Sequence, residues 1–236
     1  MSISENVARI RAQMEAAAIA AGRDPKSVLL CAATKMNDAA AVREAIRAGV
    51  DCCGENKVQE LTAKLAENAY EGAPVHFIGH LQTNKVKQVV GKVDLIQSVD
   101  SLRLLTAIDK EAGKQGIVQD ILLEVNVGGE ESKSGFRSGE ILPLVQTLDQ
   151  FPNIRVKGLM TIPPISQKNG DNIKFFQKIY NIAVDIIALL GDNDMAKYLS
   201  MGMSDDFTDA IACGSTMIRV GTAIFGERDY SKLHQT

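Results

Sequence analysis

Eight short apolar runs rich in β-branched residues, at 28–34, 50–54, 74–79, 94–99, 120–127, 155–162, 198–203 and 217–225, alternate with segments of helical periodicity. Strand-sized runs separated by helix-sized ones imply βα units and a parallel sheet. The runs are near-continuously apolar, so the strands are expected to be buried on both faces, beneath covering helices. Helical segments are expected at 38–48, 57–68, 82–90, 101–114, 138–150, 172–190 and 206–213, with a further helix at 5–21 before the first strand. In the first of these Asp38 can cap, and Val42, Ala45 and Ile46 form an inward stripe. Gly22, Gly49, Gly91 and Gly191 mark helix ends. An open doubly wound sheet would alternate in the same way, but no GxGxxG follows the first strand, and eight units in 236 residues match a closed barrel. No Pro/Gly/Ser-rich linker divides the chain, and 158–172 is its one long irregular stretch. The expected fold is therefore α/β: a single (β/α)8 TIM barrel over residues 1–236 with an extra N-terminal helix.

A net charge of −3, with basic residues scattered among acids, offers no basic stripe to neutralise a phosphate backbone, so nucleic acid is not an expected partner. The longest apolar stretches are strand-sized and no signal-like core opens the chain, which implies a soluble cytoplasmic protein without membrane attachment. Cysteines 31, 52, 53 and 213 lack zinc-site spacing, and adjacent Cys52 and Cys53 are poorly placed for a disulfide, so reduced thiols are expected. His76 and His80 lie in a strand-like segment. Four residues along a strand at ~3.3 Å each is about 13 Å, too far for one ion, and no metal is expected.

A barrel of this kind carries its site at the carboxyl ends of its strands, and the loops after the last two strands commonly hold phosphate. The first strand delivers Lys35 to that end. An amine partly withdrawn from water there loses some of the solvation that favours its ammonium form, so it becomes a nucleophile suited to an imine with a carbonyl compound. After the seventh run come Ser204 and a short helix from about 206; the eighth contains Arg219, Gly221 and Thr222. Two hydroxyls, a close backbone approach at Gly221 and a guanidinium in apolar company make a phosphate cradle. Closure of the barrel puts the first strand beside the eighth. The ligand is then a phosphorylated carbonyl compound: pyridoxal 5′-phosphate (PLP) and a sugar phosphate, as in an aldolase, both fit.

Longer strings carry a resemblance: ATK at 33–35, GENKVQE at 54–60, HFIGHLQTNK at 76–85, VNVGGEESKSGF at 125–136, GLMTI at 158–162, and LSMGMSDDFTDAI with GSTMIRVGTAIFG within 199–226. Over nearly the whole chain the sequence resembles the pyridoxal-phosphate homeostasis (YggS/PROSC) family. The resemblance implies a fold-type III PLP barrel like the N-terminal domain of alanine racemase, with no C-terminal β domain, holding the cofactor as an internal aldimine on Lys35. It would put Asn56 near the cofactor ring, Ser204, Thr222 and the Gly221 N–H on the phosphate, and Arg219 beside the pyridine nitrogen. A permanently charged donor there disfavours ring protonation and weakens the ring as an electron sink. With no opposing acid/base from a second domain, the family reading is a non-catalytic carrier in vitamin B6 and amino-acid or keto-acid balance, a monomer whose partners are PLP and apoenzymes that require it. The alternative is a PLP-dependent amino-acid racemase or related enzyme. Two positions depart from the family pattern. Cys53 replaces an aromatic residue, so ring packing near the second strand is expected to differ, and Lys57 replaces a tyrosine and is expected to be a solvated helix lysine.

Overall fold

A computed structural model of the chain describes residues 1–164, 170–191 and 193–226. Nine strands form: β1 (Leu29–Ala33), β2 (Cys52–Glu55), β3 (Val75–Phe77), β4 (Leu95–Val99), β5 (Gln119–Asn126), β6 (Phe136–Arg137), β7 (Ile154–Met160), β8 (Tyr198–Ser200) and β9 (Met217–Val220). Eight of them run parallel in the order β4-β3-β2-β1-β9-β8-β7-β5, and pairing of β4 with β5 closes the ring into a (β/α)8 barrel. The extra strand β6 pairs only with the end of β5. The α-helices are α1 (Ile3–Ala20), α2 (Ala39–Arg47), α3 (Val58–Ala66), α4 (Leu102–Gln115), α5 (Ile141–Val145), α6 (Ile173–Leu190), α7 (Phe207–Ala212) and α8 (Thr222–Phe225). None is long and apolar enough to cross a membrane among the described residues.

Burial on both strand faces divides the apolar residues into two cores. The outward faces meet the helices in a large core that includes Leu30, Cys53, Phe77, Ile96, Leu123 and Val220. The inward faces form a smaller core of Cys31, Ala33, Cys52, Ile78, Leu95, Leu122, Met160 and Met217. Helix α1 starts with a reciprocal Ser2–Glu5 capping box, α2 is capped by the Asp38 side chain, and α4 is capped by Ser101. As expected, Val42 and Ala45 are buried on α2.

Three sequence expectations are corrected. The segment 82–90 is a 3-10 helix over Thr83–Gln88, where Gln82 makes no side-chain cap and the β-branched residues Val86, Val89 and Val90 disfavour an α-helix. The segment 138–150 breaks into 3-10 turns around α5, because Pro143 lacks an N–H and fits only in a first helical turn. The last run stops being a strand at Val220. Gly221 turns the chain, and Thr222 opens α8 instead of continuing the strand. Of the irregular stretch 158–172, residues 165–169 lie outside the described residues, as do the last ten residues of the expected domain.

Candidate functional site at the barrel mouth

Lys35 stands just beyond β1, half-buried, on a backbone that its neighbours hold from both sides. The residue before it, Thr34, donates its N–H to the Gly54 carbonyl at 2.9 Å and its hydroxyl to Glu55 at 2.9 Å. The residue after it, Met36, adopts a left-handed φ of 62°, which is unfavourable for a side-chain-bearing residue. Glu60 accepts the Met36 N–H at 2.6 Å, and Asn37 Nδ2 donates to the Lys35 carbonyl at 3.0 Å, which fixes that conformation.

Behind this segment lies a charged network that the sequence reading missed. Glu55, fully buried, accepts from Lys64 Nζ at 2.6 Å, from Tyr70 OH at 3.0 Å and from Thr34. Lys64 also donates to the Thr34 carbonyl at 2.7 Å. Every charge is thus paired and hydrogen-bonded, the condition under which a buried ion pair is tolerated. Burial and then the adjacent Glu55 carboxylate push the Tyr70 hydroxyl well above its ordinary pKa, so it acts as a donor. The string GENKVQE contains Glu55 and Glu60, but nothing in it shows that Lys64 turns inward.

Asn56 follows directly, its N–H donated to Glu55 at 3.1 Å. Gly79 packs so closely on it that a Cβ there would lie within 3 Å of the Asn56 backbone. Its side-chain Oδ1 is buried and has no hydrogen-bond partner among the described residues. An orphaned acceptor at the mouth is one of the few kinds of buried polar group that require an explanation, and a bound ligand supplies one.

On the other side of β1 the register pairs Cys31 with Arg219 and Ala32 with Val220. Gly221 comes next, so close that a Cβ on it would stand 3.4 Å from both the Cβ and the carbonyl of Ala33, two residues before Lys35. The Arg219 N–H donates to the Gly202 carbonyl at 3.0 Å, which brings the turn carrying Ser204 to the same rim. Ser204 is half-buried and Thr222 exposed. Ser204 does not cap α7: Asp206 occupies that position, and its carboxylate accepts from Met203 N and from Asn172 Nδ2, each at 2.7 Å. At α8 the Asn6 side chain donates to the Ile224 carbonyl at 2.9 Å, and the Gly221 carbonyl accepts the N–H groups of Ile224 and Phe225.

Arg219 lies inside the barrel, 5% exposed. It donates to Ser200 Oγ at 2.6 Å and to the Thr161 carbonyl at 2.8 Å. Among the described residues no carboxylate comes within ion-pairing distance of it, so its partners are neutral. Burial lowers its pKa, against the influence of Cys31, Glu124 and Asp206. Across the mouth the Glu124 carboxyl is pushed up to about 7 by burial and then by Asp100, with Arg219 opposing.

Five of the six expected site residues, Lys35, Asn56, Ser204, Gly221 and Thr222, therefore follow neighbouring strands at one end of the barrel, and Arg219 lies inside it on β9. The two departures fall elsewhere. Cys53 points into the outer core, so its change from an aromatic residue repacks the helix layer and leaves the mouth alone. Lys57 is exposed, 3.7 Å from Glu60. His76 and His80 do not converge: His76 is buried in the barrel and His80 is exposed beyond β3.

A parallel eight-stranded barrel with a lysine past its first strand and a glycine-opened turn past its last defines the class of alanine racemase N-terminal domains, and residues 2–229 match the family model of that description. A pyridoxal phosphate homeostasis protein of Aquifex aeolicus is 40% identical over 230 residues, which cover 98% of this chain and 100% of that one. Its counterpart in Escherichia coli K12 is 38% identical over 233 residues, 98% of each chain. PipY of Synechococcus elongatus, solved with PLP bound, superposes with a TM-score of 0.82 at 33% identity, over 95% of this chain and 100% of that one. The chain belongs to the pyridoxal phosphate homeostasis proteins.

Proposed function

We propose that the barrel mouth binds pyridoxal 5′-phosphate and that the protein serves PLP homeostasis by holding and surrendering the cofactor, without robust turnover of its own. The observation that carries this reading is the approach of Gly221 to Ala33, which joins the anion-holding turn to the strand that delivers Lys35. Asn56 Oδ1, buried and unpartnered, fits a group seated between them. When bound, the cofactor supplies an aldehyde for a covalent link to an amine and a ring that can accept electrons.

In this reading Lys35 Nζ takes the carbonyl, Asn56 contacts the ring, and Ser204, Thr222 and the Gly221 N–H hold the phosphate. Arg219 faces the ring nitrogen. A guanidinium stays charged at any ordinary pH and can only donate, so it opposes protonation of that nitrogen and limits the charge the ring can absorb. Proton exchange on a bound amino acid is thereby disfavoured, which supports a carrier over a racemase. The partners are then PLP and apoenzymes that need it, met by a cytoplasmic monomer comprising one domain over residues 1–236.

Purified protein is expected to be yellow and to yield a borohydride-reduced cofactor adduct on Lys35, absent from Lys35→Ala. An adduct on the mouth of Lys35→Ala would remove Lys35 from its role. Incubation with amino acids in heavy water separates carrier from enzyme: α-proton exchange far above that of free PLP, and abolished by Lys35→Ala, would make the protein a racemase-like catalyst.

A further inference from the structure

Below the mouth the barrel interior holds a cluster that cofactor binding does not use. Cys31, Cys52 and His76 come from the adjacent strands β1, β2 and β3, and their ligating atoms lie within 4.8 Å of one another. Cys31 and Cys52 are direct partners in parallel register, so their thiols leave the sheet on the same face. His76 enters one register step higher, opposite Gly54, a residue with no side chain to intervene. The three are 0%, 2% and 6% exposed. Most of the surrounding inward positions are apolar, among them Ala33, Ile78, Leu95 and Leu122. Two thiols and an imidazole are therefore a local concentration of soft donors in a buried compartment whose lining is largely apolar.

We propose that Cys31, Cys52 and His76 form a buried three-coordinate site for a thiophilic monovalent cation, Cu(I) in chemical class. Thiolate and imidazole donors exclude Mg2+ and Ca2+, which take oxygen. Zn2+ held by three protein ligands keeps a water as its fourth, and this group, at most 6% exposed and joined by no fourth His, Cys, Asp or Glu among the described residues, does not open such a position to solvent. Charge decides in the same direction. Two thiolates and one monovalent ion carry a net −1, and the register partner of Cys31 is Arg219, a buried guanidinium with no carboxylate at ion-pairing distance among the described residues. A divalent ion would leave that guanidinium uncompensated. Binding forms two Cu–S bonds and one Cu–N bond and sends two thiol protons to solvent, with no electron transferred.

A side chain able to orient His76 already lies beside it. Gln97 Nε2 lies 2.9 Å from His76 Nδ1, and the Gln97 carbonyl accepts from Ser200 Oγ at 2.7 Å. Ligation through Nε2 turns the Gln97 amide so that it accepts from Nδ1–H, the orienting contact that metal-bound imidazoles ordinarily have. The thioether of Met217, 3.1 Å from Gln97 Nε2, lines the same compartment with a further soft atom.

The test uses the reduced, full-length protein under anaerobic conditions, with Cu(I) titrated against bicinchoninate and zinc against a chromophoric chelator. One equivalent of Cu(I) is expected to resist the competitor. Cys31→Ala and Cys52→Ala are each expected to weaken retention roughly a hundredfold or more, while Cys213→Ala, whose thiol lies elsewhere, leaves it unchanged. Copper K-edge absorption of the wild-type complex reads the ligands directly, even if a variant fails to fold, and should show two sulfur neighbours and one nitrogen. Absence of stoichiometric uptake, undiminished uptake by Cys31→Ala, a metal shell without sulfur, or preferential retention of zinc would each overturn the proposal. None of these readouts depends on the cofactor, so a failure here leaves the PLP reading standing.

Discussion

The two walls of the barrel mouth are built on different physics. On the β1–β2 side, charged groups buried behind Lys35 tie down the residues before and after it: Thr34 to Glu55 and Lys64, Met36 to Glu60. On the β8–β9 side, the residues proposed to meet an anion are Ser204, half-buried on a turn, and Thr222, exposed at the start of α8, and position comes from backbone contacts at Gly202 and Gly221. In the proposed reading the wall that would carry the covalent anchor is the one held by buried charge and costly to disturb. The wall that would hold the phosphate is the more adjustable, which would suit a protein that lets its ligand go.

The sharpest way to break this comparison is to remove the charge that makes the first wall. Lys64→Met leaves the fully buried Glu55 carboxylate with only hydroxyl and amide donors. Stripping one partner from a buried pair typically costs about 3–5 kcal/mol. Urea unfolding should show that loss, with an unchanged denaturant slope. A loss below about 1 kcal/mol would mean that water reaches Glu55 and that the two walls are alike.

A second prediction concerns the charge facing the looser wall. The Glu124 carboxyl, at about 7 in the folded protein against 4.5 when unperturbed, is raised chiefly by burial. For a carboxyl raised by folding, the stability it contributes is complete below about pH 4.5 and is lost as pH climbs through about 7. The loss amounts to roughly 3 kcal/mol at most. Glu124→Gln, which imitates the protonated form, should flatten that decline and leave the variant more stable than the parent above pH 7. Parallel stability curves for the two proteins would show that burial does not raise the Glu124 carboxyl.

Asp206 tests how the second wall is held. Its carboxylate joins Met203 N and Asn172 Nδ2, and so ties the Ser204 turn to the start of α6. Asp206→Ala should cost about 1–2 kcal/mol and speed amide exchange in 203–206, with no change around Thr34. Equal acceleration on both sides would mean that the walls move as one.

The sequence made the rim legible and left the interior hidden, for a physical reason. Strands buried on both faces advertise themselves as continuous apolar runs, and a parallel barrel puts its chemistry at their carboxyl ends, so Lys35, Ser204 and the 219–222 segment could be found by position. Thr222 was misplaced within a strand because TAIF after Gly221 is as apolar and β-branched as the strand before it. Lys64 looked like an ordinary helix lysine, since its partner Glu55 is nine residues away across a strand-to-helix turn. The line from Arg219 through Ser200 and Gln97 to His76 was invisible. Its contacts are set by register between strands, and the link from Ser200 to Gln97 joins residues 103 apart in the chain.

The smallest predicted effect bears most directly on function. If the β8–β9 wall is adjustable because its side chains contribute little individually, then Ser204→Ala and Thr222→Ala remove hydroxyls whose hydrogen bonds to a phosphate compete with water at a half-open site. Each should be worth about 0.5–1 kcal/mol, a factor of roughly 2–5 in cofactor release, and the two should combine nearly additively. Transfer of PLP to an excess of an apoenzyme, followed by loss of the protein's own absorbance, measures the rate. Unfolding curves of the PLP-free proteins should coincide, because the Ser204 turn and the start of α8 are held by backbone contacts at Gly202 and Gly221. Release accelerated a hundredfold or left unchanged would each contradict a phosphate held loosely by these two residues. An effect confined to Ser204 would move the phosphate toward α7 and away from the Gly221 turn.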